Sequence, residues 1–183
     1  TRGWIAAIDQ ESGQEVWRQY TVPGPGEFGH ETWADDHDAW KTGGASLWTT
    51  GSYDAEQRVT IWGTAQPVPM FDPEFRPGDN LFSNSAMAWD VDTGELKWYF
   101  QYTPNESWDY DENGVHMLID APFNGTDRQM VAHFGRNGFF YQLDRTNGDF
   151  INATRYVAKT TWTAGIDPKT GKPVEYDPNL TLQ

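Results

Sequence analysis

The sequence predicts an all-β protein, and a β-propeller within that class, from three observations. One strand–turn–strand pattern recurs at Ala7–Trp17, Ala88–Trp98, Tyr141–Ile151 and Gly165–Val174. The chain is rich in aromatic residues and glycine, with 10 Trp, 8 Tyr, 10 Phe and 18 Gly, as strands and tight turns require. No segment shows a convincing helical pattern. Hairpins repeated at intervals of tens of residues favour four-stranded blades around an axis, and a sandwich with similar hairpins is the alternative.

Each copy of the hairpin places an aspartate four residues before a glycine. In the first copy, Asp9 can accept hydrogen bonds from turn amides, and Gly13 can supply the positive φ that the turn needs. A tryptophan, Trp17 or Trp98, follows the glycine by four residues in the first two copies. We expect these tryptophans, with the alanines of the same hairpins, to pack between neighbouring blades.

Further strands are predicted from short runs of β-branched and aromatic residues. They are Ser46–Thr50, Arg58–Thr64, Val115–Asp120, Gln129–Phe134 and Phe139–Asp144, with turns at Gly51–Asp54 and Gly135–Gly138. Residues 18–45 and 65–80 are long loops rich in Pro, Gly and Asp, and loops of such length are usually functional.

Residues 1–183 are predicted to form one partial propeller domain, as a segment of a longer chain. The sequence already resembles a strand where it opens at Thr1, and the repeat architecture requires more chain than is present.

The charge of the chain excludes several classes of partner. There are 27 acidic and 13 basic residues, which give a formal net charge of −14. Nucleic acid and anionic membrane surfaces both need a basic footprint. No apolar run is long enough for a transmembrane helix. The absence of cysteine excludes disulfides and thiolate chemistry within this stretch.

The acidic stretch Glu106–Gly114 carries two carboxylates, Asp109 and Asp111, two residues apart. In an extended backbone such residues point to the same face. Both carboxylates could then bind one hard, oxygen-seeking cation. The alternative is an ordinary polar loop, because Asp, Asn, Ser and Gly are common turn residues.

Taken in order, these segments resemble the pyrroloquinoline quinone (PQQ)-dependent alcohol dehydrogenases, above all the methanol dehydrogenase group. The motifs that carry the resemblance lie in register over most of the chain. They are Arg2–Trp4, Asp38–Trp48, Gly63–Pro67, Arg76–Asn80, Asp90–Gly94, Trp108–Asp111, Arg136–Gly138 and Leu143–Gly148. The resemblance implies an eight-bladed propeller with PQQ and a metal ion on its axis. This chain would supply about three of the blades, and a glutamate ligand of the metal would lie upstream of Thr1.

The resemblance also implies roles for residues of the acidic stretch. Asp109 matches the catalytic aspartate, a general base toward the substrate hydroxyl and a metal ligand. Asp111 matches the second aspartate of lanthanide-type relatives, where calcium-type relatives carry a small residue. A trivalent ion rewards an additional anionic oxygen, so a lanthanide is expected and Ca²⁺ is the alternative. Gln66 stands where the family places a metal-ligating asparagine, which leaves its ligand role and the metal's identity open.

Three further residues match positions that contact the cofactor. Trp48 matches the tryptophan that stacks against the quinone ring, and a core tryptophan is its alternative reading. Ser46 keeps the hydroxyl of a cofactor-contacting threonine. Arg136 matches the arginine that bonds the quinone oxygens, and a surface turn arginine is its alternative.

The expected function is therefore oxidation of an alcohol to an aldehyde or ketone by a periplasmic PQQ-dependent enzyme. The expected partners are an alcohol substrate, cytochrome c as electron acceptor and the remainder of the propeller. A non-catalytic propeller scaffold and a β-domain that binds calcium through the acidic loop alone are the alternatives. The loop from Pro67 to Asn80 departs from methanol-type loops, which indicates a different alcohol.

Overall fold

The computed structural model describes residues 1–178, so residues 179–183 of the predicted domain lie outside the described part. Within that part, helical structure consists of two short 3-10 turns, at His30–Thr32 and Ala39–Thr42. No helix of residues 1–178 is long and apolar enough to cross a membrane. The strands are β1 Trp4–Ile8, β2 Glu15–Tyr20, β3 Ser52–Asp54, β4 Val59–Gly63, β5 Ser85–Asp90, β6 Leu96–Gln101, β7 Met117–Phe123, β8 Thr126–Phe134, β9 Phe139–Asp144, β10 Phe150–Arg155, β11 Gly165–Ile166 and β12 Pro173–Val174.

These strands form antiparallel sheets in the order of the sequence. Two sheets are complete four-stranded meanders, β3-β4-β5-β6 and β7-β8-β9-β10, and β1-β2 and β11-β12 are two-stranded. Strands that pair with their sequence neighbours need only short connections, which the recurring hairpins supply. The predicted blade-like arrangement is therefore present.

The four predicted hairpins share one turn geometry. In each, the glycine amide donates to the carbonyl of the aspartate four residues earlier at 2.8–2.9 Å. In the first, the Ser12 amide also donates to Asp9 Oδ1 at 2.8 Å. Gly13 has φ +70°, in the left-handed region that glycine enters without steric cost. The sequence pattern thus encodes the turn locally.

The recurring tryptophans connect one sheet to the next. Trp17 of β2 donates its indole N–H to the Val91 carbonyl, and Trp98 of β6 donates to the Arg145 carbonyl, both at 3.0 Å. Each accepting residue lies in the hairpin turn of the following sheet. A Cβ on Gly94 would lie 2.6 Å from the Trp17 ring, so the ring packs directly on the turn glycine. The prediction that these tryptophans pack between blades is confirmed.

Strand β5 lies at the centre of the packed core because both of its faces are covered. Ala86 and Ala88 belong to the cluster shared with Tyr141 and Leu143 of β9. Met87 and Trp89 face the opposite cluster, which includes Leu81 and Phe82. This alternation follows from the two-residue period of a strand.

Two sequence predictions of local structure are wrong. Residues 46–50 form no strand, although the backbone of Ala45 and Ser46 pairs with Gln66 and Ala65 at 2.9–3.0 Å. The predicted turn at 51–54 is instead occupied largely by β3, and the turn follows it at 55–58. The physical reason is that Asp54 Oδ1 accepts the amides of Glu56 and Gln57 at 3.0 and 3.1 Å, which fixes the turn after the aspartate.

A buried arginine joins the two four-stranded sheets. Arg145 follows β9 and lies 2.7 Å from Asp54 of β3, through Nε and Oδ2. Its Nη1 donates to Asp120 Oδ1 of β7 at 2.6 Å. The Nε contact is an ion pair by distance, without hydrogen-bond geometry. Because Arg145 and Asp54 are both buried, water does not solvate their charges, and each side chain compensates the charge of the other.

Replacing Arg145 with Met should lower the free energy of unfolding of the full-length protein by about 3 kcal/mol, because the buried Asp54 carboxylate loses its cation. Denaturant unfolding measures this. The matched control is Arg58→Met, which removes an exposed bidentate pair with Asp92 and should change stability little. Equal effects of the two variants would contradict the structural role of Arg145.

Candidate metal and cofactor site

The acidic stretch runs as an irregular loop against the end of β4. The Glu112 amide donates to the Thr64 carbonyl at 3.2 Å, and Asn84 Nδ2 donates to the Tyr110 carbonyl at 3.0 Å. A Cβ on Gly63 would lie 1.9 Å from the Glu112 carbonyl oxygen. Glycine is therefore required at position 63 for the loop to approach this closely, which brings Asp111 beside Gln66.

Asp109 does not adopt the extended backbone that the sequence suggested. Its φ is +67°, in the left-handed region, which Asp tolerates better than most residues. The cause is the side chain of Glu106, whose Oε1 accepts the amides of both Trp108 and Tyr110, the latter at 3.1 Å. Two amides that flank Asp109 converge on one oxygen, so the backbone curls around it.

Asp111 nevertheless lies among the other predicted site residues. Its Oδ1 accepts the Gln66 amide at 3.2 Å, and its Oδ2 lies 3.5 Å from Arg136 Nη1. Burial, together with the nearby Asp109 charge, raises the pKa of Asp111. The Gln66 amide, the Arg136 guanidinium and the Trp48 indole act in the opposite direction. Asp111 is therefore placed two residues after Asp109 and in contact with Gln66 and Arg136.

The side chain of Gln66 supplies a direct test of whether these residues fit a cation. Its Oε1 is buried and has no hydrogen-bond partner among the described residues. A buried, unpaired carbonyl oxygen is costly, and coordination by a cation would satisfy it. Asp109, Asp111 and Gln66 offer oxygen ligands, as hard cations prefer. Within residues 1–178, no group of three or more His, Cys, Asp or Glu is placed to hold a metal, so these three residues would supply only part of a coordination sphere.

Trp48 is held at the same site by the far end of the acidic loop. Its amide donates to Asn113 Oδ1 at 3.2 Å, and the neighbouring Thr49 hydroxyl donates to the Asn113 carbonyl. Trp48 is 60% exposed. A large exposed aromatic surface fixed beside polar groups is typical of a ligand-binding face, and Trp48 is not a core residue within the described part of the chain. Ser46 is also exposed and is joined to this group through its backbone, next to Gln66.

Arg136 lies in the tight turn between β8 and β9 and is positioned by its backbone. Its amide donates to Glu112 Oε2 at 3.1 Å, while its side chain remains 55% exposed and available to a ligand. The same Glu112 oxygen lies 2.7 Å from His133 Nε2. Glu112 and His133 are both buried, so the pair is screened little by water.

Behind this pair, a second histidine extends the buried polar network. His116 stacks on His133 with ring centroids 4.2 Å apart, and its Nε2 lies 3.0 Å from the Tyr102 hydroxyl. Burial lowers the pKa of His116 well below its usual range, so this imidazole is neutral. Burial also raises the pKa of Glu112, against the opposing effect of His133.

Sequence reasoning missed three buried charged residues that organise the site. Arg76, Glu106 and Glu112 have no exposed surface. Arg76 and Glu106 lay within or beside recognised motifs, and Glu112 adjoins Asp111. A sequence does not reveal that a charged residue is buried inside a loop. The only sequence signal for these residues is that they lie within or beside the motifs.

Known proteins resemble this chain over most of its length. A family model described as "PQQ: Glucose/ethanol/alcohol dehydrogenase, beta-propeller domain" matches residues 1–173. Quinoprotein alcohol dehydrogenase PedH of Pseudomonas putida is 41% identical over 194 residues, covering 96% of this chain and 31% of that protein.

The chain belongs to the PQQ-dependent alcohol dehydrogenase family. Quinohemoprotein alcohol dehydrogenase from Comamonas testosteroni superposes with a TM-score of 0.87 at 37% identity, covering 94% of this chain and 27% of that one. A europium-containing methanol dehydrogenase superposes with a TM-score of 0.88 at 34% identity, covering 96% and 33%. The predicted family and propeller fold are confirmed, and the chain spans about a quarter to a third of the length of these relatives.

Burial raises the pKa of Glu106 from 4.5 to about 7, which predicts a pH dependence of stability. The folded state binds the Glu106 proton more tightly than the unfolded state does, so protonation stabilises the fold. This contribution to the unfolding free energy is fully present below pH 4.5 and is lost as the pH rises to about 7. The unfolding free energy of the metal-free full-length protein, relative to Glu106→Gln, should therefore fall by at most about 3 kcal/mol over this interval. Denaturant unfolding at pH 4.5 and pH 8 measures it. A constant difference would contradict burial of an ionisable Glu106.

Proposed function

We propose that the full-length protein containing this chain is a PQQ-dependent alcohol dehydrogenase that oxidises an alcohol to an aldehyde or ketone. The observation that carries the proposal is the convergence of unlike groups on one loop. An exposed tryptophan face, an exposed arginine, two carboxylates two residues apart and an amide oxygen without a hydrogen-bond partner among the described residues lie together. A non-catalytic scaffold has no use for this combination.

The groups divide into cofactor-binding and metal-binding sets. Trp48 offers a flat face on which a planar ring can stack. Arg136 offers a planar cationic fork that suits carboxylate or quinone oxygens, and Ser46 offers a hydroxyl nearby. Asp109, Asp111 and the Oε1 of Gln66 offer oxygen ligands to a metal ion. When bound, PQQ accepts the electrons of the alcohol and the metal ion makes it a better acceptor.

Asp109 would act as the general base. A carboxylate can accept the hydroxyl proton of the alcohol as the carbinol C–H bond breaks. A neighbouring cation would keep this carboxylate ionised, because an opposite charge favours the charged form. Its left-handed backbone, fixed from both sides by Glu106, suits a residue that has to hold one orientation.

We assign a lanthanide as the preferred metal, with Ca²⁺ as the alternative. Two aspartates and an amide oxygen supply more negative charge than one aspartate would, which a trivalent ion rewards. The structural relative that contains europium supports this choice.

The quinohemoprotein relative supports cytochrome c as electron acceptor. The net charge of −14 would also attract a basic redox partner, and we place the protein in the periplasm.

Replacing Asp109 with Ala in the full-length protein loaded with PQQ and metal should abolish dye-linked oxidation of alcohols, because the proton acceptor is lost. Steady-state kinetics over a panel of primary and secondary alcohols measures this. Asp127→Ala, which removes an exposed carboxylate in the β7–β8 hairpin, is the matched control and should retain activity. Undiminished turnover of Asp109→Ala would overturn the assignment.

Replacing Asp111 with Ala should weaken lanthanide binding more than Ca²⁺ binding, because the trivalent ion gains more from the second carboxylate. Elemental analysis of protein grown with both metals gives the occupancy of each. A wild-type protein that carries calcium and no lanthanide would contradict the choice of metal.

A further inference from the structure

Two buried charged side chains lie beneath the acidic loop without belonging to the proposed ligand set. They are Arg76, from the loop between β4 and β5, and Glu106, from the start of the acidic stretch. Both are fully buried. Burying a charge is costly unless it is compensated, so their arrangement indicates what they hold together.

Arg76 ties two loops to each other through every nitrogen of its guanidinium group. Its acceptors are Pro69 O at 2.7 Å, Met70 O at 2.8 Å, Asn80 Oδ1 at 2.8 Å, Asn105 Oδ1 at 2.7 Å and Glu106 O at 2.5 Å. Burial lowers the pKa of Arg76 to about 10, so the group remains cationic at neutral pH. The first two acceptors follow Gln66 closely in the chain, and the last two precede Asp109 closely.

Glu106 fixes the other end of this connection. Its backbone carbonyl is held by Arg76, and its side-chain Oε1 accepts the amides of Trp108 and Tyr110. Asp109 lies between these two amides with φ +67°. A left-handed residue other than glycine persists where the surroundings determine it, and here one carboxylate oxygen does so.

We propose that Arg76 and Glu106 are positioning residues that set the location of Asp109 relative to Gln66. Arg76 fixes the spacing of the two loops, and Glu106 fixes the backbone of Asp109 within its loop. The role of Glu106 depends on reach, because one oxygen has to meet two amides. This inference deepens the proposed function and rests on it for the identity of the reaction.

Two substitutions separate reach from charge at position 106. Glu106→Gln keeps an acceptor oxygen at the same distance and removes the charge. Glu106→Asp keeps the charge and withdraws the oxygen by one methylene. Arg145→Met is the control for stability, because it removes another buried arginine that joins two sheets and contacts no proposed site residue directly.

The experiment uses the full-length protein reconstituted with PQQ and Eu³⁺, with two measurements. The luminescence lifetime of Eu³⁺ in H₂O and D₂O reports how many water molecules the metal carries. Steady-state kinetics gives kcat and KM.

In Glu106→Asp we expect one additional water on Eu³⁺, since Asp109 leaves the metal. We also expect kcat to fall about 10²-fold, as for a misplaced catalytic group. Glu106→Gln and Arg145→Met should retain the wild-type lifetime and kcat, even where their unfolding midpoints fall.

Three results would overturn the inference. The first is a wild-type Eu³⁺ lifetime and kcat in Glu106→Asp. The second is a shortened lifetime and a lowered kcat in Glu106→Gln. The third is a shortening of the lifetime and a fall in kcat in Arg145→Met as large as those in Glu106→Asp. Failure of the proposed function is a separate outcome. If the wild-type protein oxidises no alcohol, the reaction is wrong, while the Eu³⁺ lifetimes still decide whether Glu106 positions Asp109.

Discussion

Two carboxylates buried beneath one loop, those of Glu106 and Glu112, set the geometry of the candidate site. A carboxylate removed from water needs hydrogen-bond donors, and one oxygen of each finds donors in the backbone of functional segments. Among the described residues, Glu106 Oε2 and Glu112 Oε1 have no hydrogen-bond partner. Glu106 accepts the amides on either side of Asp109. Glu112 accepts the amide of Arg136 and faces His133. The hydrogen bonds that each buried acid accepts therefore fix the backbone beside or of one functional residue, Asp109 or Arg136.

The propeller brings the partners of these carboxylates to one place. The indoles of Trp17 and Trp98 reach the turn of the next sheet, which fixes how neighbouring sheets stack. Arg145 adds a buried ionic connection between β3 and β7. With the sheets fixed, the end of β4 and the start of β7 lie close enough for the acidic loop to pass over Gly63 in backbone contact. The local chemistry of the loop can then rely on a rigid support.

The parts of the fold that could be predicted are those encoded by neighbouring residues. An aspartate and a glycine four apart determine a hairpin turn by themselves, so all four repeats were predictable. Ser46–Thr50 has the composition of a strand, but its neighbours in space determine that it forms no ladder. The sequence places Asp54 in a turn, whereas in the structure it ends β3 and its side chain caps the turn that follows. Such choices depend on contacts that composition does not contain.

The same distinction holds for the site. Matching motifs selected Asp109, Asp111, Gln66, Trp48 and Arg136, and the structure brings them into one neighbourhood, although their roles remain proposals. The left-handed backbone of Asp109 was not predictable, because it depends on the burial of Glu106. The side chain of Gln66 could be read in two ways from sequence. Its buried, unpaired oxygen among the described residues is what favours a ligand role.

A crystal structure of the full-length protein loaded with PQQ and metal, with anomalous diffraction recorded at the absorption edge of the metal, would locate the metal directly. We expect one anomalous peak within coordination distance of Asp109, Asp111 and Gln66 Oε1, with Glu106 still bound to the amides beside Asp109. A metal bound elsewhere, or a Gln66 side chain turned away from it, would contradict the proposed metal site.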